Sequence, residues 1–234
     1  MVEDSIIRNN GGDGIDLNSR DTGGYAEGIV VRRNRVLNNR LQAIKLWAGG
    51  RMENNLVAGQ GINPVIVGVF PSKVEVVNNT IAYNMWDPAY AVRDYAFIAA
   101  YPEIGHSPPV ELVLVNNIFA FNTGPDVGSP TGLYLGQGVT IVEKGNNLFY
   151  SRADCEIQAE FIAEETCIDQ ASIAAGGWGM VSDPLFVSGY PNPDTHLTAS
   201  SPTIDAGSAS HAPTMDLEGN PRDAEPDIGT YEGQ

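Results

Sequence analysis

The chain has 234 residues, enough for one sizeable core or for an elongated repeat array. Its 42% apolar content excludes wholesale disorder, and no apolar run approaches the roughly 18 residues of a membrane span, so no membrane insertion is expected. Thirteen Lys and Arg against 29 Asp and Glu give a net charge of −16, a field that repels phosphate backbones and argues against a nucleic-acid partner.

Repeats begin at once. "VEDSIIRNN", "RRNRVLNNR", "MENNLVAGQ", "VVNNTIAYN", "LVNNIFAFN" and "KGNNLFYSR" share one plan: a short apolar strand, a polar Asn or Asp, an apolar pair, then a polar turn. The recurring polar position is placed at Asp4, Asn34, Asn55, Asn79, Asn117 and Asn147. No signal peptide precedes the first repeat, and an array that opens without a cap is expected to be a mature or truncated piece of an exported protein. A cytosolic protein is the alternative.

A second strand follows within each unit: "GIDL" at 14–17, "AIKLW" at 43–47, "VIVGV" at 65–69, "AFIAA" at 96–100 and "GLYL" at 132–135. Alternation with period two predicts Ile15, Ile44, Ile66 and Leu133 inward, with Asp16, Lys45, Val67 and Tyr134 outward. Units of 20 to 30 residues with two or three short strands suit an all-β, single-stranded parallel β-helix of about six coils. An Asn inside each turn satisfies backbone groups and bonds to the Asn of the adjacent coil.

Two segments break the period. Residues 85–110 swell the fourth unit. Residues 152–180 carry the only cysteines, Cys155 and Cys167, and a run "AEFIAEETCIDQASIAA" of helical character, with Phe161, Ile162, Ile168 and Ile173 on one apolar face. A local disulfide formed in an oxidising compartment and two buried free thiols are both open for the cysteines. The expected division is coils over 1–152, with the insertion at 85–110, and a non-repetitive extension over 153–234 that packs on or caps the solenoid.

Over residues 2–152 the repeats resemble the right-handed parallel β-helix of the pectate-lyase-like superfamily. The tail motifs "SDPLFV" at 182–187, "HLTASSPTIDAGS" at 196–208, "DLEGNPR" at 216–222 and "DIGTYE" at 227–232 resemble the terminal signature of secreted, surface-anchored bacterial β-helix proteins. The resemblance implies a secreted or cell-surface location. That superfamily contains polysaccharide lyases, glycoside hydrolases and adhesins, so the fold alone does not give a reaction.

Three groups of residues are candidates for function. "GGDGIDLNSRD" brings Asp13, Asp16 and Asp21 close together, either as a Ca²⁺ site or as one turn and one strand of the repeat. Its "DGID" resembles a stretch of β-helix polygalacturonases that supplies catalytic carboxylates, but the further acidic and His positions of that pattern are missing. Asp16 and Lys45 are expected one above the other on an outward face beside Trp47, with Arg40 nearby. A lyase acting on a uronic-acid polysaccharide needs a base for the C5 proton and a cation for the adjacent carboxylate, which assigns Lys45 and Asp16 catalytic roles. An exposed salt bridge beside an exposed aromatic is the plainer alternative. In the insertion, Trp86, Tyr90, Arg93, Tyr95 and His106 mix rings with polar groups in the manner that suits sugars. The expected activity is recognition of a polysaccharide, with or without β-elimination. The competing expectation is a non-catalytic surface or adhesive spacer.

Overall fold

In the computed structural model the described residues are 1–17, 28–68, 70–84, 97–99, 109–122, 132–150, 155–160, 165–189 and 193–233. The strands recur in triplets. The first is β1 (Val2–Glu3), β2 (Ile6–Arg8) and β3 (Ile15–Leu17), and the second is β4 (Val30–Arg32), β5 (Arg35–Leu37) and β6 (Ile44–Leu46). Next come β7 (Gly50–Glu53), β8 (Leu56–Ala58) and β9 (Val65–Val67), then β10 (Ser72–Val77), β11 (Thr80–Ala82) and β12 (Phe97–Ala99). They are followed by β13 (Val110–Val115), β14 (Ile118–Ala120) and β15 (Leu133–Leu135), then β16 (Val139–Gly145), β17 (Asn147–Tyr150) and β18 (Cys155–Glu160).

Each strand pairs in parallel with its counterpart in the next triplet. This generates three long sheets: A from the first members, B from the second and C from the third. The architecture is therefore an all-β parallel β-helix.

Why the chain turns where it does is written in its asparagines. Between sheets A and B one residue per triplet adopts a left-handed conformation: Asp4, Arg33, Asn54, Asn78, Asn116 and Asn146, with φ between 50° and 61°. Asn and Asp tolerate this region because their short polar side chains bond locally. Arg33 departs from the type and is held by a salt bridge to Asp4 at 2.7 Å.

The next residue in each corner points inward. Asn34, Asn55, Asn79, Asn117 and Asn147 are buried and stacked. The backbone N–H and the Nδ2 of Asn79 both donate to Asn117 Oδ1, at 3.0 and 3.1 Å, and Asn55 donates to Asn79 in the same way. The column begins at Ser5, whose N–H donates to Asn34 Oδ1 at 3.2 Å. The sequence alignment that placed Asp4 in this column was one residue early. Asp4 occupies the left-handed position, which an acidic residue fills as readily as Asn.

The B-to-C corner repeats the device. Asn9, Asn38, Gly59, Tyr83 and Phe121 take positive φ, and Asn10, Asn39, Gln60, Asn84 and Asn122 form a second ladder. The "NN" pairs thus belong to two columns, not one.

Inside the three sheets lies a single apolar core. Val31, Met52, Val76 and Leu114 enter from A, Val36, Val57, Ile81 and Phe119 from B, and Ile44, Val65, Phe97 and Leu133 from C. Phe119 stacks on Phe149 with ring centroids 5.4 Å apart, repeating the coil spacing in aromatic form. In β9 the expected facing is reversed. Ile44 pairs with Val65 and Lys45 with Ile66, so Val65 and Val67 point in and Ile66 lies on the outward column. Three consecutive β-branched residues, "VIV", carry no alternation from which to read a register.

Among the described residues of the run expected to be helical, 159–160 and 165–169 are strand. β19 (Glu165–Asp169) pairs antiparallel with β18, and α1 (Gln170–Ala175) is helical, with Asp169 as its N-cap accepting from Ser172 N at 2.8 Å. Thr166, Cys167 and Ile168 favour the strand, and a neighbouring edge was available to pair with them. Ile173 and Trp178 enter the main core. Phe161 and Ile162 lie outside the described residues. Cys167 is disulfide-bonded, and no described cysteine is free. β20 (Gly179–Val181) then extends sheet B.

Beyond Pro184, described residues of the tail pack on the outer face of sheet B, and the tail includes a short antiparallel pair, β21 (Phe186–Ser188) and β22 (Asp194–Leu197). Leu217 and Tyr231 cover Leu56 and Ala58, while Ile228 covers Ala82, Ile118 and Leu148. The left-handed asparagines hold this segment by its backbone. Asn78 Nδ2 donates to Asp227 O at 2.9 Å, Asn146 Nδ2 to Ala206 O at 2.9 Å, and Asn116 exchanges two bonds with Ser208. Two tail carboxylates, Asp216 and Asp227, are buried. Asp216 accepts from the N–H groups of Glu218, Asn220 and Glu232, and Asp227 from those of Asp205 and Gly233. Among the described residues no helix is long and apolar enough to cross a membrane.

Asn79→Ala removes the acceptor of two donors from Asn55 and leaves Met52 O and Val77 O without the Nδ2 that reaches them. At about 1–3 kcal/mol for each buried group left unsatisfied, a total loss of at least ~3 kcal/mol is expected. It is read as a fall in urea midpoint at unchanged m-value. Asn10→Ala, at the exposed start of the second ladder, is expected to cost under about 1 kcal/mol. Equal losses in the two variants would contradict the ladder account.

Candidate functional site

The outward face of sheet C brings four of the sequence candidates together. β3 pairs with β6 so that Asp16 lies beside Lys45, and Trp47 follows directly after β6. Lys45 Nζ stands 2.7 Å from Asp13 Oδ2 and 3.1 Å from Asp16 Oδ2, and the Trp47 indole N–H donates to Asp16 Oδ1 at 2.7 Å. The ammonium also lies 5.7 Å from the Trp47 ring centroid. Asp13 Oδ1 accepts from Gln42 N at 3.1 Å, which ties the turn before β3 to the next coil.

Gly14 is what allows this approach. A Cβ there would sit 2.6 Å from Ala43 O and from Val36 Cγ1, so the glycine of "DGID" answers to coil stacking. Gly11 and Gly12 meet no such obstacle.

The Lys45 side chain is only 14% exposed. Burial by itself lowers its pKa, but the bonds to Asp13 and Asp16 outweigh that and hold the ammonium above the usual lysine value. Lys45 is therefore a fixed positive charge and a poor proton acceptor at neutral pH. Two carboxylates around one ammonium leave the cluster with a net charge of about −1.

Of the three carboxylates expected to take calcium, Asp13 and Asp16 are described. Calcium takes six to eight oxygens, whereas Asp13 and Asp16 already converge on an ammonium. Among the described residues no group of three His, Cys, Asp or Glu is arranged to hold a metal.

Arg40 is exposed in the B-to-C corner, its N–H donating to Asn10 O at 3.0 Å. Asp21, Trp86, Tyr90, Arg93, Tyr95 and His106 lie outside the described residues. One neighbour escaped the sequence reading. Phe70 packs against Trp47 with ring centroids 6.2 Å apart, and its N–H donates to Trp47 O at 2.9 Å. The signal was available in the repeat length, since Phe70 stands one coil after Trp47. Further along the same outward column the face is closed: Ile66 and Tyr134 are 5% and 1% exposed.

Fold and site together define a parallel β-helix with a polar, aromatic-flanked patch at the start of one sheet face. Comparison with protein-family models, with curated proteins and with solved structures found no match.

A raised lysine pKa stabilises the fold fully below the unfolded value of about 10.4, and the contribution fades as pH climbs through the folded value. Between pH 9 and 12 the unfolding midpoint of the wild type is therefore expected to fall more steeply than that of Lys45→Met. Parallel profiles would show that the ammonium is not held by the two carboxylates.

Proposed function

We propose that this chain is an extracellular, polysaccharide-recognising β-helix protein of the pectate-lyase-like kind, binding glycan on the sheet C face around Asp16, Lys45 and Trp47. One observation carries the reading. The indole N–H bonded to Asp16 fixes an aromatic plate beside a carboxylate acceptor. Sugars offer C–H faces to such a plate and hydroxyl donors to such an acceptor. The disulfide at Cys167 favours an oxidising, extracellular compartment.

Binding is favoured over β-elimination on two grounds. A lyase base must be free to take a proton, but Lys45 is kept protonated by its two neighbours, and both Asp16 oxygens already accept, from Lys45 Nζ and from the Trp47 indole N–H. The net negative cluster, in a chain of charge −16, also disfavours a uronate carboxylate. Neutral glycans are the better match.

A second reading, a non-catalytic surface spacer, rests on the two buried amide ladders running along the solenoid, which stiffen it lengthwise. The two readings separate on a glycan array. Recognition at this face predicts binding that drops at least tenfold in Trp47→Ala and in Asp16→Asn, with the far-UV circular dichroism of the folded protein retained. Absence of glycan binding in the wild type leaves the spacer. Release of unsaturated uronides, absorbing near ~235 nm, from pectate or alginate would overturn the non-catalytic reading.

A further inference from the structure

The tail carries a second cluster with no part in the sheet C face. His196, on β22, has both ring nitrogens opposite carboxylates: Nδ1 lies 2.5 Å from Asp194 Oδ1, and Nε2 lies 3.3 Å from Glu218 Oε2. Glu218 in turn receives Arg35 Nη2 of β5 at 2.8 Å. The imidazole rests on the Tyr231 ring, centroids 3.9 Å apart, and Tyr231 is one of the residues that cover Leu56 and Ala58 of sheet B. One side chain therefore joins β22, the 216–220 turn and the end of the tail, with the turn tied in turn to the second coil.

A neutral imidazole has one N–H, so it satisfies one carboxylate and sets a lone pair against the other. Only the imidazolium donates to both. His211 makes the contrast: its Nε2 lies 2.8 Å from Glu143 Oε2, a single bond that one neutral tautomer supplies.

We propose that His196 is a proton-operated clasp that holds the C-terminal segment on sheet B and loosens it as the medium turns alkaline. The groups facing the ring are Asp194, Glu218 and the Tyr231 phenol, with Arg35 beyond Glu218 opposing the positive charge. Burial lowers the ring's pKa, but the bonds to Asp194 and Glu218 outweigh it and raise the folded value above 6.5. The clasp is accordingly full below about pH 6.5 and lost as pH rises through the folded value.

Amide hydrogen exchange on the whole chain, corrected for intrinsic rates, tests this between pH 5.5 and 8.5. In the wild type the opening of peptides containing Leu217 and Tyr231 is expected to increase with pH, about tenfold for each unit by which the folded pKa exceeds 6.5. His196→Gln is expected to open to the same extent at every pH, and His211→Gln to follow the wild type. Glu218→Gln leaves one carboxylate, which a neutral ring satisfies, and is expected to shrink the pH dependence. Should His196→Gln unfold the tail, the ring titration of the wild type by NMR still decides. A midpoint at or below about 6.5, or wild-type opening that does not change with pH, overturns the clasp.

Discussion

The solenoid depends on one hydrogen bond used repeatedly: an inward-facing side-chain amide that accepts, on one oxygen, both the backbone N–H and the Nδ2 of the amide one coil earlier. A corner with a positive-φ residue leaves backbone groups inside the prism that no neighbouring strand reaches. An apolar side chain at the ladder position would strand them, at a cost comparable to several net hydrogen bonds. Asn supplies donor and acceptor on one short group, and its Nδ2 also reaches carbonyls such as Met52 O and Val76 O. Gln60 does the same work one methylene longer at the second corner. Register follows from this, because a slip of one residue would remove every bond in a column.

The same corners place the tail. At the corner between sheets A and B the left-handed residue projects its side chain out of the prism, and Asn54, Asn78, Asn116 and Asn146 meet the backbone of residues 206–229. The apolar outer residues of β8, β11, β14 and β17 are thereby covered, which a free-standing solenoid of this composition would expose to water. Asp216 and Asp227 are spent on backbone N–H groups, and Glu232 on Arg222, which bonds it at 2.7 Å and Asn54 Oδ1 at 2.9 Å. With sheet B occupied in this way, the polar start of sheet C is left as the face where Asp16, Lys45 and Trp47 meet solvent.

Charge decides what that face can do. The sequence suggested a base and a cation from the pairing of Asp16 with Lys45. Geometry adds Asp13 as a second partner and turns the pair into a closed triad with a fixed ammonium. In such a group Lys45 serves as a cation and not as a base. The distinction turned on one carboxylate lying two residues before its strand, in a turn whose path no periodicity describes.

Repeat length, strand alternation and the "NN" pairs were sufficient for the parallel β-helix, because coil stacking writes the same requirement into the sequence at every turn. The pairing of Asp16 with Lys45 was legible for that reason. The facing of Ile66 was not, because "VIV" is apolar at all three positions. Nor was the fate of residues 165–169, where an open neighbouring edge outweighed a helical pattern. The two corner columns looked alike in sequence, since both use Asn. Only the three-dimensional path separates the asparagine that bonds inward to the next coil from the one that reaches outward to the tail. Local sequence set the conformation of each corner, whereas the contacts of Asp13, His196 and the tail join residues from different coils, and only tertiary packing brings those together.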